Sequence, residues 1–161
     1  MPTKTNKIYI IVIGLVIALL SVGGTYYIAD LEVSRASNII EIEIGTFEIT
    51  NIKLLPPTVE GIARIFFENP SQIDLTIVSV SAEFYVKSGD LQYFLGNVTE
   101  THKLIPSNGI TSIPIEILAR FGVVELIGEE DYDVVLSGDM IISGRYLFWT
   151  ITNEKTIVIE K

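Results

Sequence analysis

The chain has 161 residues, no cysteine, a single histidine and a formal charge of −9. Without thiols it forms no disulfide or thiolate metal centre, and one imidazole, His102, leaves little for histidine catalysis or zinc binding. Residues 30–161 hold 9 Lys or Arg against 20 Asp or Glu, an acidic surplus that repels nucleic acid and anionic headgroups, so no nucleic-acid partner is expected.

Ile8–Ala29 is a run of 22 residues without a formal charge, flanked by Lys4 and Lys7 before it and Asp30 and Glu32 after it. As a helix it reaches roughly 33 Å, enough for a hydrocarbon core of about 30 Å. The lysines favour a cytoplasmic N-terminus (residues 1–7) and an extracytoplasmic remainder, with Tyr9 and Tyr26–Tyr27 at the two interfaces. An uncleaved signal anchor is the favoured reading, which makes membrane lipid the first expected partner. Two alternatives stay open: a signal peptide cleaved near Val22–Gly24, and a pilin-like helix packed in a filament. Gly14 and Ala18 form a small-xxx-small pair of the kind that lets membrane helices approach, although such residues are common in any span.

Residues 30–38 are short and polar and read as a linker that holds the following domain close to the membrane. From residue 39 to 161 the period is two. Ile40, Ile42 and Ile44 alternate with Glu41 and Glu43, which places the two carboxylates on a solvated strand face rather than in an acid–base site. Phe47–Leu54 resumes the pattern up to Pro56–Pro57, and Gly61–Glu68, apolar on nearly both faces, suits the centre of a sheet. Within Ile73–Val86 the apolar parity switches at Ile77–Val78, which requires a bulge or bend. Ser88-Gly89-Asp90 turns the chain into Leu91–Leu95; Gly96-Asn97 separates that strand from Val98–Leu104. After the turn at Pro106–Gly109, Ile113, Ile115 and Ile117 alternate around Pro114, an edge-strand signal. Leu118–Ile127 breaks the rhythm and reads as one short helix ended by Gly128. Tyr132–Ser143, Tyr146–Thr152 and Thr156–Glu160 close the pattern, with turns at Gly144 and Asn153–Glu154. The expected fold is all-β: an antiparallel Ig- or fibronectin-III-like sandwich of seven to nine strands with one short helix, preceded by a single transmembrane helix.

Few residues advertise chemistry. Asn97-Val98-Thr99 is an N-glycosylation sequon in an expected hairpin loop. Glu129, Glu130, Asp131 and Asp133 crowd four carboxylates together as weak candidate ligands for a hard cation, but they lack the spacing and glycine of an EF-hand loop, so a solvated acidic loop is favoured. His102 has no nucleophile elbow or triad order around it, and Trp149 with Tyr146 and Phe148 reads as strand packing. No catalytic residue or cofactor is expected.

The order of elements resembles the late-embryogenesis-abundant type 2 (LEA14-like) family, also called the water-stress and hypersensitive-response domain. The resemblance rests on an apolar strand ending in Asn69-Pro70-Ser71, the long strand Ile73–Val86, Gly89 and Leu95-Gly96 in a hairpin, Ile105-Pro106-Ser107-Asn108-Gly109, and Val135-Leu136-Ser137-Gly138. It covers about residues 46–160. It implies a sandwich with one helix, a stress-related and non-enzymatic role, and a structural turn at Asn69 and Pro70. The apolar N-terminal segment is an addition to that pattern and shifts the expected setting to a membrane surface. A binding or protective module and a subunit of a membrane complex or filament, with self-association or an unidentified protein partner, are the two functions that follow.

Overall fold

Apolar residues spaced by two along strands, and by three and four along one helix, leave this chain with a flat core and one lengthwise seal. The computed structural model describes residues 4–120, 123 and 132–160. Among them a long helix, α1 (Lys4–Asn38), precedes eight strands: β1 (Glu41–Ile44), β2 (Glu48–Leu54), β3 (Pro57–Asn69), β4 (Leu75–Ser88), β5 (Leu91–Ile105), β6 (Gly109–Arg120), β7 (Asp133–Tyr146) and β8 (Trp149–Glu160).

The strands form two four-stranded antiparallel sheets packed as a sandwich. In the first, β3 is central, with β6 along one side and β1 and β2 sharing the other. Its register brings Ile65 opposite Ile113, Ala63 opposite Ile115 and Gly61 opposite Ile117, all buried on the inner face. β6 has a partner on one side only, as the ring of Pro114 demands. The second sheet runs β5-β4-β7-β8. Its register with β7 slips by one between Ile77 and Ser79, at the expected parity switch, so that Leu75, Ile77, Val80, Ala82, Phe84 and Val86 all point inward.

Several boundaries differ from the sequence reading. Leu91–Leu95 and Val98–Leu104 are one strand, β5, because Gly96 sits beside a bulge in the pairing with Phe84–Tyr85 rather than in a turn. Leu118, Ala119 and Arg120, expected to open a helix, continue β6, with Ala119 facing the core. Val123 is helical and buried, and the remainder of that expected helix lies outside the described residues. Gly144 lies within β7 and Asn153–Glu154 within β8; the turn between these strands is Leu147-Phe148.

The helix does not stop at Ala29. Residues 30–38, read as a linker, are its last turns. From Ile11 to Ile28 its side chains are exposed apart from half-buried Thr25, whereas Ala29, Val33, Ala36 and Ser37 are buried against the sandwich. Their spacing of three and four residues puts them on one helical face. Ile11–Asn38 contains a window long and apolar enough to cross a membrane.

Candidate functional site

Where β8 meets the helix, the strand's alternation fails. On β8 the inward parity runs Trp149, Ile151, Asn153, Lys155, Ile157, so two polar side chains occupy core-facing positions opposite Ile142 and Met140. Both reach the end of α1. Asn153 Nδ2 donates to Ser37 Oγ (3.4 Å), and Lys155 Nζ donates to the carbonyls of Ser37 and Asn38 (3.4 Å each). The last carbonyls of a helix have no intrahelical donor and carry the negative end of its dipole, so an ammonium group there caps and neutralises them. Burial pushes the Lys155 ammonium below its ordinary pKa. The Ser37 hydroxyl in turn donates to Val33 O at 2.8 Å.

About three turns toward the N-terminus, the same strand grips the helix again. Trp149 Nε1 donates to Thr25 Oγ1 at 3.3 Å, and its ring meets Tyr26 edge to face with centroids 5.1 Å apart. Between these clasps Val33 fills the space over Gly144. A Cβ on that glycine would lie 2.9 Å from Val33 Cγ1 and 2.8 Å from Leu75 Cδ2, which is why the helix can lie this close. Trp149 packs against the core and Phe148, as its strand position leads one to expect, and adds contacts to the helix.

The adjoining end of the sandwich is tied by Asn69, which has no exposed surface. Its Nδ2 donates to the carbonyls of Ile73 (2.9 Å), Ile105 (3.3 Å) and Pro106 (3.2 Å), and its Oδ1 accepts from the N–H (3.1 Å) and hydroxyl (2.6 Å) of Ser71. One amide thus joins the β3–β4 turn, where Pro70 follows it, to the β5–β6 turn. Nearby, Asp74 Oδ1 accepts the Ser107 N–H at 2.7 Å, and this bond holds its carboxyl below the usual range. These turns, Arg145, Leu147 and the Glu32–Arg35 pair of α1 line an open groove of about 820 Å³.

The other sequence candidates do not converge. Asn97 is exposed in the middle of edge strand β5 opposite Glu83, not in a hairpin loop. Asp133 begins β7 opposite Lys87, while Glu129, Glu130 and Asp131 lie outside the described residues. Among the described residues no three His, Asp or Glu side chains gather as a metal site. His102 is exposed with φ 57° at the level of the β4 bulge. Glu41 and Glu43 are exposed on β1. At the far end, Pro56, Pro57, Tyr93, Phe94 and Arg120 line a second open groove of about 880 Å³.

No protein-family model matches this chain. No curated protein matches it either. Several solved structures are similar in shape, among them these three. One is a Northeast Structural Genomics Consortium target at 8% identity and TM-score 0.47, covering 76% of this chain and 86% of its own. A protein from Archaeoglobus fulgidus has 7% identity and TM-score 0.32 over 76% of this chain and 95% of its own. A protein provisionally described as late embryogenesis abundant (LEA), known from a solution structure, has 15% identity and TM-score 0.33 over 99% of this chain and 90% of its own.

Proposed function

We propose that this chain is a membrane-anchored, non-catalytic β-sandwich module with a cytoplasmic N-terminus and an extracytoplasmic sandwich, serving stress-related protein or lipid binding at the cell surface. The observation that carries this reading is the division of α1. One continuous helix exposes apolar side chains from Ile11 to Ile28 and buries Ala29, Val33 and Ala36 in the sandwich. Water penalises the first half and the sandwich needs the second, and a bilayer around the first half satisfies both. Lysines before the apolar run and carboxylates after it support the orientation. The LEA14-like order of turns and strands supports the stress-related, non-enzymatic role.

The orientation is tested by thiol accessibility in intact cells, since the chain has no cysteine of its own. Leu55→Cys, 93% exposed at the β2–β3 turn, is expected to react with a membrane-impermeant maleimide. Reaction only after lysis would reverse the topology. A second reading, a subunit of a membrane complex or surface filament, is favoured by one strand. All seven residues of β2 are exposed, Ile49, Ile52 and Leu54 among them. Their pairing opposite Gly61, Val59 and Pro57 puts the three on one face of an edge strand, and an exposed apolar edge strand suits pairing with a neighbour. Light scattering in detergent separates the two, a monomer favouring the first and a stable oligomer the second.

A further inference from the structure

We propose that the β7–β8 turn is a second membrane contact: Leu147 and Phe148 insert into the headgroup–acyl boundary of the bilayer that α1 crosses, with Trp149 at the interface. The proposal rests on the reading of α1 as a membrane span.

The turn is built against the rules for a turn in water. Two-residue hairpin turns favour Asn-Gly, because both central positions take positive φ and both face solvent. Here they are Leu147 and Phe148, 59% and 62% exposed, and Leu147 holds φ 57°, a conformation costly for a branched side chain. Even with Phe148 packed on Trp149, both side chains stay more than half exposed. Membership of the bilayer surface compensates these costs.

Position says the same. Trp149 is fixed to Thr25 and Tyr26, the turn of α1 at which the apolar run gives way to Asp30 and Glu32. Counted from Ile8, Tyr26 stands roughly 27 Å along the helix, against a hydrocarbon core of about 30 Å. Trp149 lies beside Thr25 and Asn153 beside Ser37, so β8 and α1 advance in the same direction. Residues that precede Trp149 therefore lie toward the membrane side of Thr25. Phe148 packs on Trp149 with centroids 5.1 Å apart, and Tyr26 meets the same indole, an aromatic cluster of the type that sits at headgroup level. Arg145, exposed two residues before the tip, is placed to reach phosphate oxygens. Because the sandwich is acidic, the fitting surface is zwitterionic lipid engaged through apolar insertion rather than anionic lipid attracted by charge.

The test uses the full chain in phosphatidylcholine vesicles whose acyl chains carry bromine as a quencher. An environment-sensitive fluorophore is attached to single-cysteine variants: Ile17→Cys in mid-span, Phe148→Cys at the turn and Leu55→Cys at the far end. The expected result is strong quenching at position 17, quenching with a blue-shifted emission at position 148, and none at position 55. Trp149, the only tryptophan, reports without a label and is expected to be quenched in the unmodified protein. Quenching at 17 without quenching at 148 overturns the proposal and leaves the span standing. A blue shift at 148 without quenching means that protein, not lipid, covers the turn, and also overturns it. No quenching at 17 removes the span, and the proposal with it.

Discussion

The two halves of α1 share one backbone geometry and obey opposite packing rules. From Ile11 to Gly24 the helix is exposed and mostly apolar around its circumference, and large Leu, Ile and Val side chains occupy most positions. From Thr25 to Asn38 it carries one buried stripe, and that stripe is built of small or slim residues, Ala29, Val33, Ala36 and Ser37, because a sheet must come within contact distance. Charged residues return on the other faces at Asp30, Glu32 and Arg35. Hydrophobicity alone describes the first half; shape and hydrogen bonding describe the second. A single helix is therefore anchor and core element in succession, continuous across the Gly23-Gly24 junction between them.

The comparison can be broken most sharply at Val33. Val33→Asp places an unpaired carboxylate among Leu75, Gly144 and the inner sheet, and is expected to cost about 3–5 kcal/mol in urea unfolding of the detergent-solubilised chain. Val16→Ser, on the exposed half, should leave the same midpoint within about 0.5 kcal/mol. Equal losses at both sites would show that the halves are not distinct. Asn69→Ala removes the amide that serves three carbonyls at the end of the sandwich beside the helix. Its expected cost is about 2–3 kcal/mol, measured in the same way. Lys155→Met keeps most of the side-chain volume while withdrawing the cap from Ser37 and Asn38, and should cost about 0.5–1 kcal/mol. Hydrogen exchange should locate that loss in the last turn of α1 and nowhere in the span.

The smallest effect is the pH response of Asp74. Its folded pKa lies below the unfolded value, so its bond to Ser107 contributes fully above the unfolded pKa of about 3.9. That contribution is lost as pH falls through the folded pKa. Between pH 5 and the acid limit, unfolding midpoints of the native chain should therefore fall more steeply than those of Asp74→Asn. Parallel slopes would assign the acid sensitivity to other carboxylates.

Period-two patterning made most of the sandwich legible, since Ile113, Ile115 and Ile117, the parity switch at Ile77–Val78 and the edge position of Pro114 all follow from local geometry. Misreadings arose where a residue's local meaning was overruled by a distant neighbour. Gly96-Asn97 reads as a turn but lies in a strand beside a bulge, and Gly144 reads as a turn but makes room for Val33. Asn153–Glu154 reads as a turn because polar residues interrupt the alternation, yet Asn153 and Lys155 face inward to hold a helix end more than a hundred residues earlier. One signal for the site was present in the sequence: Ala29, Val33, Ala36 and Ile40 recur at helical spacing across a segment that looked like a linker. The partner of that stripe was not legible, because nothing local links β8 to α1.

That separation has a consequence in time. Ser37 and Asn153 are 116 residues apart, so at a synthesis rate of about 5–20 residues per second the helix waits roughly 6–23 s for the strand that clasps it. Throughout that interval the stripe of Ala29, Val33 and Ala36 has no sheet to cover it, while the apolar half of the same helix is already competent to insert. On the proposed membrane reading, the nascent chain is committed to the bilayer before its sandwich can close. The Trp149–Thr25 and Lys155–Asn38 contacts are then the late events of folding, and they fix the domain to an anchor already in place.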